Sequence, residues 1–214
     1  MSGEFTIRRA HADDRDALYA VCLATGRDGG DASDDFEDPE LLGHRYVGPY
    51  LALEPELSFT LADDGGPCGY VLGTADSERF YRRFLDLWIP PLRARLAVPT
   101  GDASGWSADE RLWAELRAPT VLLPKDRENY PAHAHIDLLR RAQGCGLGRR
   151  MMTTLLEALA AQGAVGVHLG LSPRNERARG FYHALGFREI EPEREDRETL
   201  LMGRSLQGIG SAGH

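Results

Sequence analysis

Cysteine is scarce in this chain of 214 residues: Cys22, Cys68 and Cys145 stand alone, with no CxxC pair. An odd, scattered set argues against a disulfide framework and fits a reducing compartment. Basic charge is in deficit, 25 Lys and Arg against 33 Asp and Glu, for a formal net charge of −8. A general nucleic-acid binder would carry the opposite balance. No apolar run approaches the ~18 residues that would cross a bilayer. The opening MSGEFTIRRAHADD is too charged for a signal peptide. These absences lead to the expectation of a soluble cytoplasmic protein with neither nucleic acid nor membrane as partner. The length suits one domain, or one domain carrying a long insertion.

Periodicity then organises the chain. Phe5 to Arg9 reads as a strand, and Asp13 or Asp14 caps a helix running to about Ala24 through Leu18, Val21 and Cys22. The acid-rich stretch Asp28 to Glu40 reads either as a solvated loop or as a negative rim that attracts a cationic substrate. Leu57 to Ala62 and Cys68 to Thr74 form a hairpin about a DDGGP turn. From Ser77 to Pro131 the pattern changes. Helices at Ser77 to Leu87 and Ala108 to Leu116 are separated by the Pro/Gly-rich IPPLRARLAVPTGDASG. A segment of this length inside a domain reads as an insertion or lid, residues 77–131. Regularity returns with a strand at Ala132 to Leu139 and a helix at Leu147 to Ala161. A strand at Val165 to Leu171, a helix at Asn175 to Leu185 ended by Gly186, and strands at Phe187 to Ile190 and Thr199 to Leu206 follow. The sum is a single α/β domain over residues 1–206, a mixed sheet flanked by helices, and a flexible tail over 207–214.

Between the Ala132 strand and the Leu147 helix lies Gln143 to Gly148, QGCGLG. Glycines at 144, 146 and 148 let successive backbone N–H groups converge, and the following helix adds a positive dipole end. That makes an anion cradle suited to a pyrophosphate. A phosphate loop of the GxxxxGK[ST] kind is absent, since no Lys-Ser or Lys-Thr follows the glycines. The dinucleotide fingerprint GxGxxG also fails on spacing, and its carboxylate is missing at the end of the next strand. Arg140, Arg141, Arg149 and Arg150 flank the loop within an acidic chain, which favours a polyanionic guest. Arginines in a first helical turn oppose the helix dipole, a conflict that a bound anion would relieve.

Gln143-x-x-Gly146-x-Gly148 resembles the acetyl-CoA pyrophosphate motif of the GCN5-related N-acetyltransferase (GNAT) superfamily. Asn175-x-x-Ala178-x-x-Phe181-Tyr182-x-x-x-Gly186-Phe187 looks like the later cofactor and general-acid segment of the same superfamily, in the expected order. Tyr130 to Leu139, YPAHAHIDLL, is similar to the acetyltransferase-like domain family found at the C-terminus of eukaryotic O-GlcNAcase and in free-standing bacterial relatives. The likeness covers roughly residues 132–190. It implies a GNAT-like mixed β-sheet with a long insertion before the central strand. Acetyl-CoA would be the co-substrate, without a metal. Its holders would be Leu138, Leu139, Arg140, Arg141, Gln143, Gly144, Cys145, Gly146, Leu147, Gly148 and Arg149, joined by Asn175, Arg179 and Tyr182. Arg140 departs from the family, which commonly has proline there.

The implied chemistry is direct attack of a primary amine, on a small molecule or a lysine-like group, upon the acetyl thioester. Such a reaction needs a base, an oxyanion donor and an acid for the leaving thiolate. Tyr182 matches the family acid, unless it is only a core tyrosine beside Phe181. The oxyanion donor would be the Leu138 N–H. His133, His135 and Asp137 alternate along one strand and are the candidate bases. A bulge would break that alternation, and satisfied core polar residues are the other reading. Asn175 would bind the cofactor arm or cap its helix. Cys145 occupies a variable motif position, so its thiol is incidental. The rival function is a non-catalytic acyl-CoA-binding or protein-interaction module on the same fold. A homodimer is left open.

Overall fold

The computed structural model describes residues 4–209. Strands β1 (Thr6–Arg9), β2 (Ser58–Asp63), β3 (Gly66–Thr74), β4 (Ala132–Leu138), β5 (Gly166–Leu171), β6 (Arg188–Glu189) and β7 (Leu200–Ser205) form one mixed sheet. Their order is β1-β2-β3-β4-β5-β7-β6. Every neighbouring pair is antiparallel except β4 with β5. The α/β class and mixed sheet expected from the sequence are therefore present.

Alternation along the strands divides the interior into two cores, one on each face of the sheet. Val71 of β3 turns to one face and Tyr70 and Leu72 to the other, and the register shift opposite Leu61 and Ala62 carries Cys68 over to the Val71 face. The first face is covered by α7 (Leu147–Ala161) and α8 (Glu176–Ala184). In α7 the predicted stripe Leu147, Met151, Met152, Leu155, Leu156 and Leu159 is buried throughout. At about 2 kcal/mol per side chain, this burial and not any polar contact holds the helix against the sheet.

The second face is covered by α1 (Arg15–Thr25), α2 (Leu41–Tyr46), α3 (Gly48–Leu53) and the helices of the Ser77 to Pro131 segment. Neither α2 nor α3 is evident in the sequence, because Gly43, Gly48 and Pro49 break the helical pattern. Packing explains these glycines. A Cβ on Gly43 would lie 2.2 Å from the Tyr19 ring, and one on Gly48 2.2 Å from the Tyr19 hydroxyl.

The expected break after Leu87 is also corrected. Helix α4 (Ser77–Arg83) passes through a π-turn at Phe84–Trp88 directly into α5 (Ile89–Arg95). Pro90 and Pro91 do not stop the chain because they fall at the start of α5, directly after the π-turn shifts the helical hydrogen-bond register. Helix α6 (Ala108–Arg117) starts with a Ser107/Glu110 capping box and buries Leu112 and Leu116 in the second core. Asp109 accepts the backbone N–H groups of Glu37 and Asp38, both at 3.0 Å, tying the acid-rich stretch down as a strap. Of the expected tail, Gln207 to Ile209 form a turn with Ile209 against the first core, and 210–214 lie outside the described residues.

Candidate functional site

The parallel strands β4 and β5 pair at only two positions, Ala132 with Val167 and His133 with His168, and then diverge. Strand β5 commits its other edge to β7 over all of Gly166 to Leu171. The Leu139 N–H donates to the Cys68 carbonyl at 2.8 Å. In an antiparallel ladder, bonded and non-bonded pairs alternate, so Asp137 and His135 also bond to β3. The amides of Ile136 and Leu138 consequently turn to the opened side. This is the splay on which the Leu138 donor depends.

The glycine loop closes one end of the gap. Gly144 and Gly146 hold left-handed φ values of 81° and 80°, and Gly146 is the residue that caps α7. Both positions open onto free space, so the backbone conformation alone demands glycine there. Gly148 serves packing instead. A Cβ on it would come within 3.3 Å of both Leu138 and Phe181, the side chains that floor the gap.

The flanking arginines do not all converge on the loop. Arg141 is bound to Asp63 at 2.7 Å, and Arg179 pairs with Glu189. Arg149 donates to the Ala184 carbonyl at 3.2 Å, at the end of α8, where the helix dipole favours a cation. That contact settles the Arg149 conflict with its own helix. Arg150 lines a groove beside β1, to which Arg149 also contributes. Arg140 forms no ion pair among the described residues and remains beside the loop. Gln143 spans the gap: its Nε2 donates to the Leu138 carbonyl at 2.6 Å, and its Oε1 accepts from Arg177 at 2.7 Å. Gly144 and the exposed Cys145 lie between Gln143 and α7, and Leu147, the first residue of α7, is buried in the first core.

Strand β4 pairs with β3 without a register break, so His133, His135 and Asp137 share one face. Their environments differ sharply. His133 is buried, with its Nε2 2.7 Å from the Tyr50 hydroxyl and its Nδ1 2.8 Å from Ser77 Oγ. Ser77 donates to the Pro131 carbonyl at 2.7 Å, so it accepts from His133 Nδ1–H, and Nε2 accepts from Tyr50. Both ring nitrogens are thus occupied, and burial drives the His133 pKa well below its usual value. His133 is a satisfied core residue without a nitrogen to offer a substrate.

Asp137 and His135 are the accessible pair, with side chains 25% and 31% exposed. His135 Nε2 lies 3.3 Å from Asp137 Oδ2 and 3.2 Å from the Tyr70 hydroxyl. Tyr70, fully buried, donates to Asp137 Oδ2 at 2.6 Å. Burial raises the Asp137 pKa, opposed by His135 and by the Tyr70 hydrogen bond. Burial also lowers the His135 pKa, so the imidazole is neutral at rest.

On α8, Tyr182 is 8% exposed and packs edge-on against Phe187. Its hydroxyl has no hydrogen-bond partner among the described residues. Burial, then the charge of Asp137, raises its pKa, so the phenol keeps its proton. Asn175 caps α8, accepting the Ala178 N–H at 3.0 Å, and its amide donates to the Asp28 carbonyl at 3.3 Å. The capping reading of Asn175 is therefore satisfied, and the acidic strap is anchored beside the start of α8.

Comparison with known proteins bears on this arrangement. The acetyltransferase (GNAT) family model matches residues 107–187. The solved structure of SsHAT is 39% identical with a TM-score of 0.85, covering 95% of this chain and 98% of that one. The chain belongs to the GNAT superfamily. Mouse O-GlcNAcase is 30% identical over 205 residues, 94% of this chain, and the chain spans 22% of that protein's length. The structure of yncA from Salmonella typhimurium, described with its cofactor acetyl-CoA, shares the fold at 15% identity and a TM-score of 0.52. It covers 97% of this chain and 96% of its own.

Within this GNAT domain, the sequence motifs led to the loop, to Tyr182 and to the β4 triplet. They did not lead to Tyr70, which positions Asp137 from the neighbouring strand, or to Arg177, which holds Gln143. Tyr70 sits directly across from Asp137 in the register. Only the strand pairing, which no local spacing encodes, brings the two together.

Proposed function

We propose that this chain transfers an acetyl group from acetyl-CoA to a primary amine by direct attack, in a ternary complex. The observation that carries the proposal is the placement of three groups about one gap. Asp137 is partly accessible on β4, the Leu138 amide faces the opened side, and the phenol of Tyr182 is protonated within the field of Asp137. Acetyl-CoA would supply the activated thioester. The loop fits its pyrophosphate, because two left-handed glycines at the start of α7 turn backbone N–H groups outward.

Asp137 takes the proton from the incoming ammonium, and its raised pKa brings its basicity closer to that task. His135 and Tyr70 hold the carboxylate in place. The Leu138 N–H donates to the carbonyl oxygen that gains charge. Tyr182 returns a proton to the departing thiolate. The acid-rich strap beside α8 draws a cationic amine to the mouth, and the helices of residues 77–131 restrict which acceptor reaches β4. The expected setting remains cytoplasmic.

A second reading is a non-catalytic acyl-CoA-binding module, favoured by Gln143, whose side chain already occupies the Leu138 carbonyl. Two measurements separate them: thermal stabilisation by acetyl-CoA, then release of free CoA with a panel of amines and lysine peptides. Stabilisation with turnover supports the transferase. Stabilisation without turnover on any acceptor supports the module, and no stabilisation at millimolar acetyl-CoA defeats both.

A further inference from the structure

Strand β1 is one edge of the sheet, three strand spacings or about 14 Å from the β4 gap. Beside it lies a groove of about 500 Å³ that runs between β1 and α7. The Ala10 N–H donates to the Ser58 carbonyl at 2.9 Å. By the alternation of the ladder, Arg8 and Thr6 also bond inward to β2, whereas the backbone groups of Ile7 and Arg9 point off the edge, where the Arg9 carbonyl accepts from the exposed end of Arg8 at 3.0 Å. An edge of this kind is a template for another strand unless it is covered.

The charge around it is the reverse of the chain as a whole. Arg9 and Arg150 line the groove together with Thr153, in a protein of net charge −8. Arg150 forms no ion pair among the described residues. Arg9 pairs with Glu56, but both side chains are more than half exposed, so a new acid can replace that partner at little cost. Arg8, by contrast, is held by the buried Asp14. The floor is apolar, made by Ile7 and Phe59.

We propose that this groove binds an extended acidic peptide segment, which adds to β1 as a further strand. Its backbone pairs at Ile7 and Arg9, and its alternate side chains, which fall on the α7 side of the sheet with Ile7, Arg9 and Phe59, carry the carboxylates that meet Arg9 and Arg150. A small phosphate-bearing ligand would use the arginines but not the β1 edge, which pairs with no further strand among the described residues, or the apolar floor. The combination therefore selects a peptide.

The test uses the full chain and a fluorescein-labelled peptide alternating glutamate and valine, followed by fluorescence anisotropy at low and physiological salt. A control peptide of the same sequence carries N-methyl groups on alternate residues, which keeps the charge and blocks strand pairing. Saturable binding should weaken at least tenfold on N-methylation, and at least tenfold in Arg9→Glu and in Thr153→Glu. Stabilisation by acetyl-CoA should stay unchanged in both variants, and amide resonances of Ile7 and Arg9 should shift on peptide addition. Absence of binding would overturn the proposal. So would equal binding of the N-methylated peptide, equal binding by both variants, or full displacement by inorganic pyrophosphate.

Discussion

The Tyr70 hydroxyl donates a 2.6 Å hydrogen bond to Oδ2 of Asp137, directly across the β3–β4 pairing. One oxygen of the carboxylate is thereby fixed by a fully buried phenol, while the side chain remains open to the gap. Removing the carboxylate should abolish proton removal without affecting cofactor binding. Asp137→Asn is expected to lower kcat by roughly 10²–10⁴-fold and to preserve the acetyl-CoA-induced rise in Tm. The Tyr70 bond favours the charged form, so Tyr70→Phe should raise the Asp137 pKa further. The acidic limb of the pH–rate profile should then move to higher pH, by on the order of one unit. An unmoved limb would exclude Asp137 as the base.

Tyr182 carries its hydroxyl without a hydrogen-bond partner among the described residues, so that oxygen contributes little to stability. Tyr182→Phe should leave urea unfolding within about 1 kcal/mol of the parent while lowering kcat on the order of 100-fold. CoA release under saturating substrates is the measurement. Full activity in this variant would remove the acid role.

Gly146 sits at φ 80° with open space where a side chain would project, which separates backbone strain from steric clash. Gly146→Ala should cost about 1–2 kcal/mol through the left-handed backbone alone. Acetyl-CoA stabilisation should shrink as well, because the loop would turn its N–H groups away. Differential scanning fluorimetry with and without acetyl-CoA reports both effects.

His133 and His168 give the fold an acid sensitivity distinct from catalysis. Burial depresses the His168 pKa to about 4, and that of His133 well below its usual value. Both are folded in the neutral form, so below about pH 6.5 the unfolded chain binds protons that the native chain refuses. Stability should therefore fall as pH drops from 6.5 towards 4. For His168 the loss by pH 5 should reach about 2 kcal/mol. Urea titrations at pH 7, 6 and 5 measure it, and His168→Asn should flatten the slope. A pH-independent midpoint over that window would contradict this account.

Much of the fold is legible in local pattern. Helix α7 falls where its apolar stripe places it, and Gly186 ends the α8 region with a φ of 84°. Local pattern misleads where long-range packing decides the backbone. Helices α2 and α3 carry glycines because Tyr19, more than twenty residues earlier, and at Gly48 also Trp88, fill the space beside them. The run through Pro90 and Pro91 stays helical because a π-turn delivers both prolines to a first turn.

For the site, the amino-acid order alone determined the loop, the identity of Tyr182 and the alternation of His133, His135 and Asp137, since each depends on spacing within one element. The tertiary structure decided which of the three can act. His133 is taken out of reach by Tyr50 and Ser77, and Asp137 is left open by the divergence of β5 and steadied by Tyr70. It also dispersed the arginines that appear adjacent in sequence, because neighbouring positions on a helix point in different directions. Protonation and access depend on burial and on partners brought from distant segments, and those are properties of the packed chain.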